Sequence, residues 1–289
     1  MSWLRTTGFL GIMLGMAIDA RAIIFYSAGN DHNTTDPGGG LPWQNVVEVR
    51  SNSGITGSGV YLGNRYVLTA AHVGPTETIR INSTDFNLEP AAPILIGTAD
   101  MKLLRLQSDP GLGNVLLNIA SANDLGAARL VGYGIGRSDA SLTGTSPVTW
   151  GNDTTAIKRW GENTVDFTFS NQALNGYTSN LLRTQFNTNA GPNEAALTLY
   201  DSGSALFRFV GSNWLLVGLG AYVATGGESY ANPTGLDSDP TNDDNYFIQI
   251  SSYASAQDVL GGVVVPEPGT GHLLMFALGV YSVMRRKIS

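Results

Sequence analysis

The chain has 289 residues, 43% of them hydrophobic and 13% charged, so it can bury a core and lacks the composition of a disordered segment. Cysteine is absent, which excludes disulfides, zinc–thiolate and iron–sulfur centres and cysteine nucleophiles together. The formal net charge is −7 and no basic patch stands out in the body of the chain, which argues against nucleic-acid binding.

The N-terminus carries Arg5, then an apolar stretch from Gly8 to Ile18, and then Ala20-Arg21-Ala22. A basic start, an apolar centre and small residues one and three positions before a cut are what signal peptidase requires, so residues 1–22 read as a secretory signal peptide cleaved after Ala22. The body is rich in glycine, with 36 residues, and shows no helical periodicity, which favours short strands joined by tight turns. In chain order the expected strands are Asn45 to Val49, Gly57 to Leu62, Tyr66 to Thr69, Thr78 to Ile81 and Met101 to Leu106. Asp109-Pro110-Gly111-Leu112-Gly113 interrupts them. Ala128 to Tyr133, Val165 to Phe169, Ala205 to Arg208, Trp214 to Val217 and Tyr246 to Ile250 follow. Asp237 to Asn245 reads as a solvated loop whose spacing matches no defined calcium loop, and Ser252 to Leu260 as a short C-terminal helix.

The chain ends on Val265-Pro266-Glu267-Pro268, an apolar run centred on Leu273 to Met284, and Arg285-Arg286-Lys287. The run is short for a comfortable membrane span, and the basic cluster would stay on the cytoplasmic side. The three features in this order resemble the PEP-CTERM sorting signal of Gram-negative bacteria. That resemblance implies transient membrane association, removal of the tail by an exosortase-like enzyme, and a product at the cell surface or beyond it. A plain membrane anchor is the alternative. Between Ala22 and Arg285 there are 11 Lys+Arg and 22 Asp+Glu, so the mature domain is acidic at −11.

Three segments carry chemistry. Tyr66-Val67-Leu68-Thr69-Ala70-Ala71-His72 delivers a histidine after a buried strand and two small residues. Imidazole takes and returns a proton near neutral pH without large tuning. The other two histidines, His32 in a polar stretch and His272 in the apolar tail, are poorer bases by their surroundings. Asp100 opens the strand Met101-Lys102-Leu103-Leu104-Arg105-Leu106, and by itself is an ordinary turn or cap residue. Tyr200-Asp201-Ser202-Gly203-Ser204-Ala205 precedes an apolar strand, and a serine needs a base to become a nucleophile.

Together, in the order His, Asp, Ser, these segments resemble the chymotrypsin-like serine proteases, and that order separates them from subtilisins and α/β-hydrolases. The resemblance implies an all-β fold of two packed antiparallel six-stranded barrels, at residues 23–124 and 125–260, with the tail at 261–289. It implies His72 as base, Asp100 as its orienting partner, Ser202 as nucleophile, and backbone N–H groups of Tyr200 and Ser202 as the oxyanion hole. The substrate would be a protein or peptide, and neither a cofactor nor a metal is needed. By the same match Ala196 forms the floor of the specificity pocket and Ala221, Tyr222 and Val223 its wall. With no acid at Ala196, an apolar or small side chain is expected at the cleaved position. A freed Ile23 could insert and pair with Asp201.

The sequence departs from the family at Val73, Ser204 and Ala205, where cysteine, glycine and proline are usual. Tyr200 stands where the family has glycine, and a bulky residue there threatens the orientation of an oxyanion donor, a loss of about 100- to 1000-fold in rate. An inactive homologue serving as a surface or matrix binding protein, and an esterase on the same scaffold, are therefore alternatives to a protease.

Overall fold

The computed structural model describes residues 23–138, 144, 148–152, 156–187, 190–223, 229–230 and 243–254. The expected signal peptide, the PEP-CTERM-like tail, residues 237–242 of the Asp/Asn-rich loop and residues 255–260 of the expected helix lie outside them. Among the described residues no helix is long and apolar enough to cross a membrane.

The first half contributes β1 (Ile24–Phe25), β2 (Val46–Ser51), β3 (Gly54–Gly63), β4 (Tyr66–Ala70), β5 (Thr78–Ile81), β6 (Thr84–Asn87), β7 (Ile94–Leu95), β8 (Met101–Arg105) and β9 (Leu116–Leu117). The second contributes β10 (Gly126–Gly134), β11 (Val148–Thr149), β12 (Ile157–Leu174), β13 (Tyr177–Gln185), β14 (Ala195–Ala196), β15 (Ala205–Val210), β16 (Asn213–Val223), β17 (Ser229–Tyr230) and β18 (Asp244–Gln249). Strands β6-β5-β2-β3-β4-β8 lie side by side, and a bridge between Leu88 and Leu106 joins the two outer ones into a ring, with β7 added to β8. Strands β15-β10-β12-β13-β18-β16 form the second ring, closed by the β15–β16 pair, with β9 added parallel to β16. These are the two six-stranded barrels that the resemblance implies. Closure leaves neither barrel a full free edge.

The apolar pattern explains how the barrels meet. Along β3 and β4, Tyr61 and Val67 point into the first barrel with Val47, Val49, Ile79 and Leu104, while Val60, Leu62 and Leu68 point outward. The outward set packs with Val131, Ala205, Phe207, Leu216, Leu219 and Ile248 of the second barrel into one shared core. Strands buried on both faces read as continuous apolar runs rather than alternating ones, as Tyr66–Ala70 does. The interior of the second barrel holds Leu130, Leu182, Leu206, Val217 and Phe247, together with Ile23, Ile24 and Phe25. Strand β1 thus belongs by contact to the second barrel, pairing Ile24 with Ala196 and Phe25 with Ala195.

Three local expectations change. The strand expected at Val165 to Phe169 is part of an 18-residue strand, β12. Its outer half, residues 166–174, has no buried residue, so apolar patterning does not mark it. Asp244 and Asn245, expected in a solvated loop, are buried in β18, where the Asn245 side chain accepts the Leu197 N–H at 2.7 Å. Where the expected C-terminal helix begins there is a 3-10 turn, Ile250–Ser252, followed by Tyr253 outside helical geometry.

Beside β14, Glu194 is 6% exposed and bridges to Glu162 of β12. Burial pushes its carboxyl up to about 8. The unfolded chain releases this proton near pH 4.5 while the folded chain keeps it, so the stability is full below that pH and is lost as pH rises toward about 8. Glu194→Gln should therefore raise Tm at the upper end of this window and hardly change it at the lower end. Thermal melts across the range test this, and a gain equal at every pH would contradict it.

Candidate active site

The site lies where the barrels meet. Register carries Asp100 to His72: β4 and β8 pair Ala70 with Met101, which sets Asp100 opposite Ala71. The Ala71 N–H donates to the Asp100 carbonyl at 3.1 Å, and the small, buried Ala70 lets the two backbones close up. The Asp100 carboxylate, 2% exposed, accepts the His72 backbone N–H through Oδ1 at 2.9 Å and the ring Nδ1–H through Oδ2 at 2.5 Å. A carboxylate only accepts, so the ring proton sits on Nδ1 and Nε2 is left as an acceptor. Ser202 Oγ lies 2.7 Å from that Nε2, positioned to donate to it.

Ser202 comes from the second barrel and is held by the first. Its carbonyl accepts the Ser58 N–H at 2.8 Å. The Ser58 hydroxyl donates to the Tyr200 carbonyl at 2.7 Å and accepts the Tyr133 N–H at 2.9 Å, and Thr69 Oγ1 donates to the Ser58 carbonyl at 2.7 Å. The next residue must be glycine. Gly203 has φ +84, and a Cβ there would sit 2.1 Å from the Ser58 carbonyl oxygen and 2.4 Å from Thr69 Oγ1. The Gly203 N–H donates to the Gly220 carbonyl at 2.8 Å, tying the loop to β16.

Tyr200 adopts φ +72, the left-handed conformation that glycine supplies without strain and that costs other residues about 1–2 kcal/mol. The turn is closed by the Asp201 N–H donating to the Thr198 carbonyl at 3.3 Å. The Leu199 carbonyl accepts the Ile135 N–H at 3.2 Å, so the N–H of the same trans peptide, that of Tyr200, points to the opposite side. Tyrosine has kept the backbone conformation of a glycine. Tyr200 and Ser202 line a cavity of about 220 Å³ with Ile55, Thr56, His72, Val73 and Gly74. None of the described residues accepts the Ser202 N–H.

Ala196, Ala221, Tyr222 and Val223 do not line that cavity. Ala196 is fully buried among apolar side chains beside Ile24, and Ala221 and Val223 are each 3% exposed. Tyr222 is half-buried, its ring centroid 5.9 Å from that of Tyr246. Asp201 is fully buried, with Oδ2 accepting the Thr198 N–H at 3.1 Å and Oδ1 without a partner among the described residues. Burial pushes its carboxyl well above the usual range, and the neighbouring Arg159 guanidinium opposes this.

Several contributors carry no motif. The Asp100 N–H donates to Ser179 Oγ at 3.0 Å, and Asn175, at the tip of the β12–β13 hairpin, donates to Asp100 Oδ2 at 3.4 Å. Thr98 and Thr178 exchange two hydrogen bonds, of 2.9 and 3.0 Å, that clasp this hairpin to the Asp100 segment. Lys102 reaches the carbonyls flanking His72. Of these only Lys102 stands in a segment singled out above, and nothing there names a role for it. Among the described residues no group of His, Asp and Glu could hold a metal ion.

A profile of the family Trypsin matches residues 30–235, well over half of the chain. This chain belongs to the trypsin family of serine proteases. Among solved structures the trypsin-family chain is similar to mouse neuropsin, a serine protease expressed in the limbic system of the brain. The TM-score is 0.50 and the identity 17%, with 76% of this chain and 94% of that one covered. It is also similar to Rv3671c of M. tuberculosis, a mutant in its inactive form, with a TM-score of 0.48 and 14% identity over 81% of this chain and 94% of that one. At such identities the likeness to neuropsin speaks for the fold alone. No curated protein matches by sequence.

Proposed function

We propose that this trypsin-family chain is an exported serine endopeptidase that cleaves peptide bonds through an acyl-enzyme. The observation that carries the reading is the hydrogen-bond chain from Asp100 through His72 to Ser202, at 2.5 and 2.7 Å, drawn from both barrels. Ser202 attacks the carbonyl as His72 Nε2 takes its proton, and Asp100 stabilises the imidazolium that forms. His72 then returns the proton to the leaving amine, and water repeats the cycle on the ester. The N–H groups of Tyr200 and Ser202 hold the oxyanion. With no acid at Ala196, the family match favours an apolar or small side chain at the cleaved position, although Ala196 is itself fully buried and Ala221 and Val223 nearly so. Export uses residues 1–22, and an exosortase-like enzyme removes the tail at the Pro266-Glu267-Pro268 element, releasing the acidic domain at the cell surface or outside.

A fluorophosphonate, which reacts with a serine only when its base is in place, tests the central step. Wild type should be labelled, and Ser202→Ala should lose the label with its fold intact by circular dichroism. A folded wild type that takes no label would favour a binding protein on an inactive scaffold. Cleavage after Lys or Arg in a peptide library would refute the specificity assigned to Ala196.

A further inference from the structure

The segment 71–73 is held by two side chains of opposite charge from one strand. Asp100 and Lys102 are two residues apart at the start of β8, so both project from the same face of the sheet. That face looks onto Ala71, His72 and Val73. The carboxylate takes the donors of this segment, the His72 backbone and ring N–H groups. The Lys102 ammonium takes its acceptors: it donates to the Ala71 carbonyl at 3.3 Å and to the Val73 carbonyl. Lys102 is only 8% exposed, and burial pushes its ammonium below the usual lysine range while the nearby Asp100 supports it. A desolvated ammonium donating to two carbonyls is expensive to leave unpaired, so the contact is stiff.

Val73 is 3% exposed in the core of the first barrel, its N–H donates to the Ala70 carbonyl at 3.2 Å, and Thr76 Oγ1 reaches the Val73 carbonyl at 3.4 Å. Beyond it, Gly74, Pro75 and Thr76 border a cavity of about 410 Å³ that Lys102 also lines, so among the described residues Lys102 is the one charged group holding these carbonyls from the neighbouring strand. The chain has no cysteine with which to staple the segment. Thr69, which precedes it, is paired with Lys102 across the β4–β8 ladder. The ammonium therefore acts one strand away from its own backbone, on the Ala71–His72 peptide that carries the histidine and on the Val73–Gly74 peptide one residue further on.

We propose that Lys102 is a positioning residue, whose ammonium clamps the carbonyls of Ala71 and Val73 and so sets the angle at which His72 meets Ser202. This rests on the role given to His72 above. A disulfide offers a second way to fix the same segment without any charge. A Cβ built on Gly57 would lie 2.8 Å from Val73 Cγ1, close to the ~3 Å that separates a cysteine Cβ from its partner's sulfur, and 3.0 Å from the Ser202 carbonyl oxygen, a tight contact that a double-cysteine parent keeping Lys102 shares.

The test uses the full chain as wild type, Lys102→Met, and Lys102→Met combined with Gly57→Cys and Val73→Cys in oxidised form. Three quantities are read: the fluorophosphonate labelling rate, Tm, and the low-field proton resonance of the His72–Asp100 hydrogen bond. Lys102→Met should slow labelling by at least about tenfold, as a catalytic group displaced by a fraction of an ångström does, and should shift or broaden the resonance. The disulfide should restore both to the level of an oxidised double-cysteine parent that keeps Lys102. Lys102→Met with wild-type labelling and an unchanged resonance would overturn the proposal. So would a disulfide that recovers Tm but neither the rate nor the resonance, since that outcome assigns Lys102 to stability alone. If wild type takes no label, the protease reading fails by itself, and the resonance in the same variants still decides whether Lys102 positions His72.

Discussion

Asp100→Asn should lower kcat by about ten-thousandfold with little change in fold, because it reverses the proton on His72 without emptying the site. In wild type both carboxylate oxygens are engaged by His72, at 2.9 Å from the backbone N–H and 2.5 Å from the ring. An asparagine can keep the first bond only through its oxygen. Its NH2 group then faces Nδ1, and two donors cannot share that contact. The imidazole relieves the conflict by moving its proton to Nε2, where it donates to Ser202 Oγ and can no longer accept from it. The base is present but in the wrong tautomer. Tm should move far less than the rate, since the backbone bond survives and Ser179 still accepts the Asp100 N–H. Fluorophosphonate labelling beside thermal melts measures both. A rate within about tenfold of wild type would remove Asp100 from the mechanism.

One residue added before Ile23, with cleavage otherwise unchanged, should lower activity by about 100- to 1000-fold, the loss expected when an oxyanion donor is displaced. The support is geometric. Ile23 is fully buried, and β1 carries it along the segment that leads to Asp201. Asp201 Oδ1 is buried without a partner and pressed against Gly132, where a Cβ would sit 1.9 Å away. An α-amino group freed by cleavage after Ala22 is partly charged near neutral pH and would supply that partner. Asp201 adjoins Ser202, so a shift in its side chain moves the turn that holds the Tyr200 N–H. Arg159 is the competing cation, held by the carbonyls of Asn30 and Gly134. Mature protein with and without the added residue, compared by kcat and mass spectrometry of the N-terminus, separates the two. Equal activity would leave the balance of Asp201 to Arg159 alone.

How legible these features were depended on whether their signal was local. His72 and Ser202 stood out because each ends or precedes a run whose burial shows in its own composition. Asp100 had no distinctive surroundings and was found by order and by the family match. Lys102, Asn175, Ser179 and Thr69 were invisible as contributors: Asn175 and Ser179 act on Asp100 from segments with no motif, and Thr69 and Lys102 act on backbone groups, a role their own segments do not signal. Strand β13, Tyr177–Gln185, was missed outright. Its Leu181 and Leu182 point to different cores, so no alternation marked it. The concern over Tyr200 was reasonable from sequence, since a tyrosine disfavours φ +72. In the structure Tyr200 nevertheless holds φ +72, and the Ile135 N–H takes the Leu199 carbonyl from more than 60 residues away and so orients the peptide, while labelling of Ser202 tests whether the donor works.

By itself, then, the sequence determined that the domain is acidic and cysteine-free, that its body is built from short strands, and that a histidine and a serine segment of the trypsin family are present in that order. These follow from composition and from patterns a few residues long, which each stretch of chain carries regardless of its neighbours. The tertiary structure alone decided that both barrels close, that they share one core, and that His72 and Ser202, 130 positions apart, meet in a 2.7 Å contact. It also placed the hairpin tip, Ser58 and Lys102 around that contact. Their partners are fixed only when two barrel surfaces pack, and packing depends on side chains distant in sequence whose shapes must fit together.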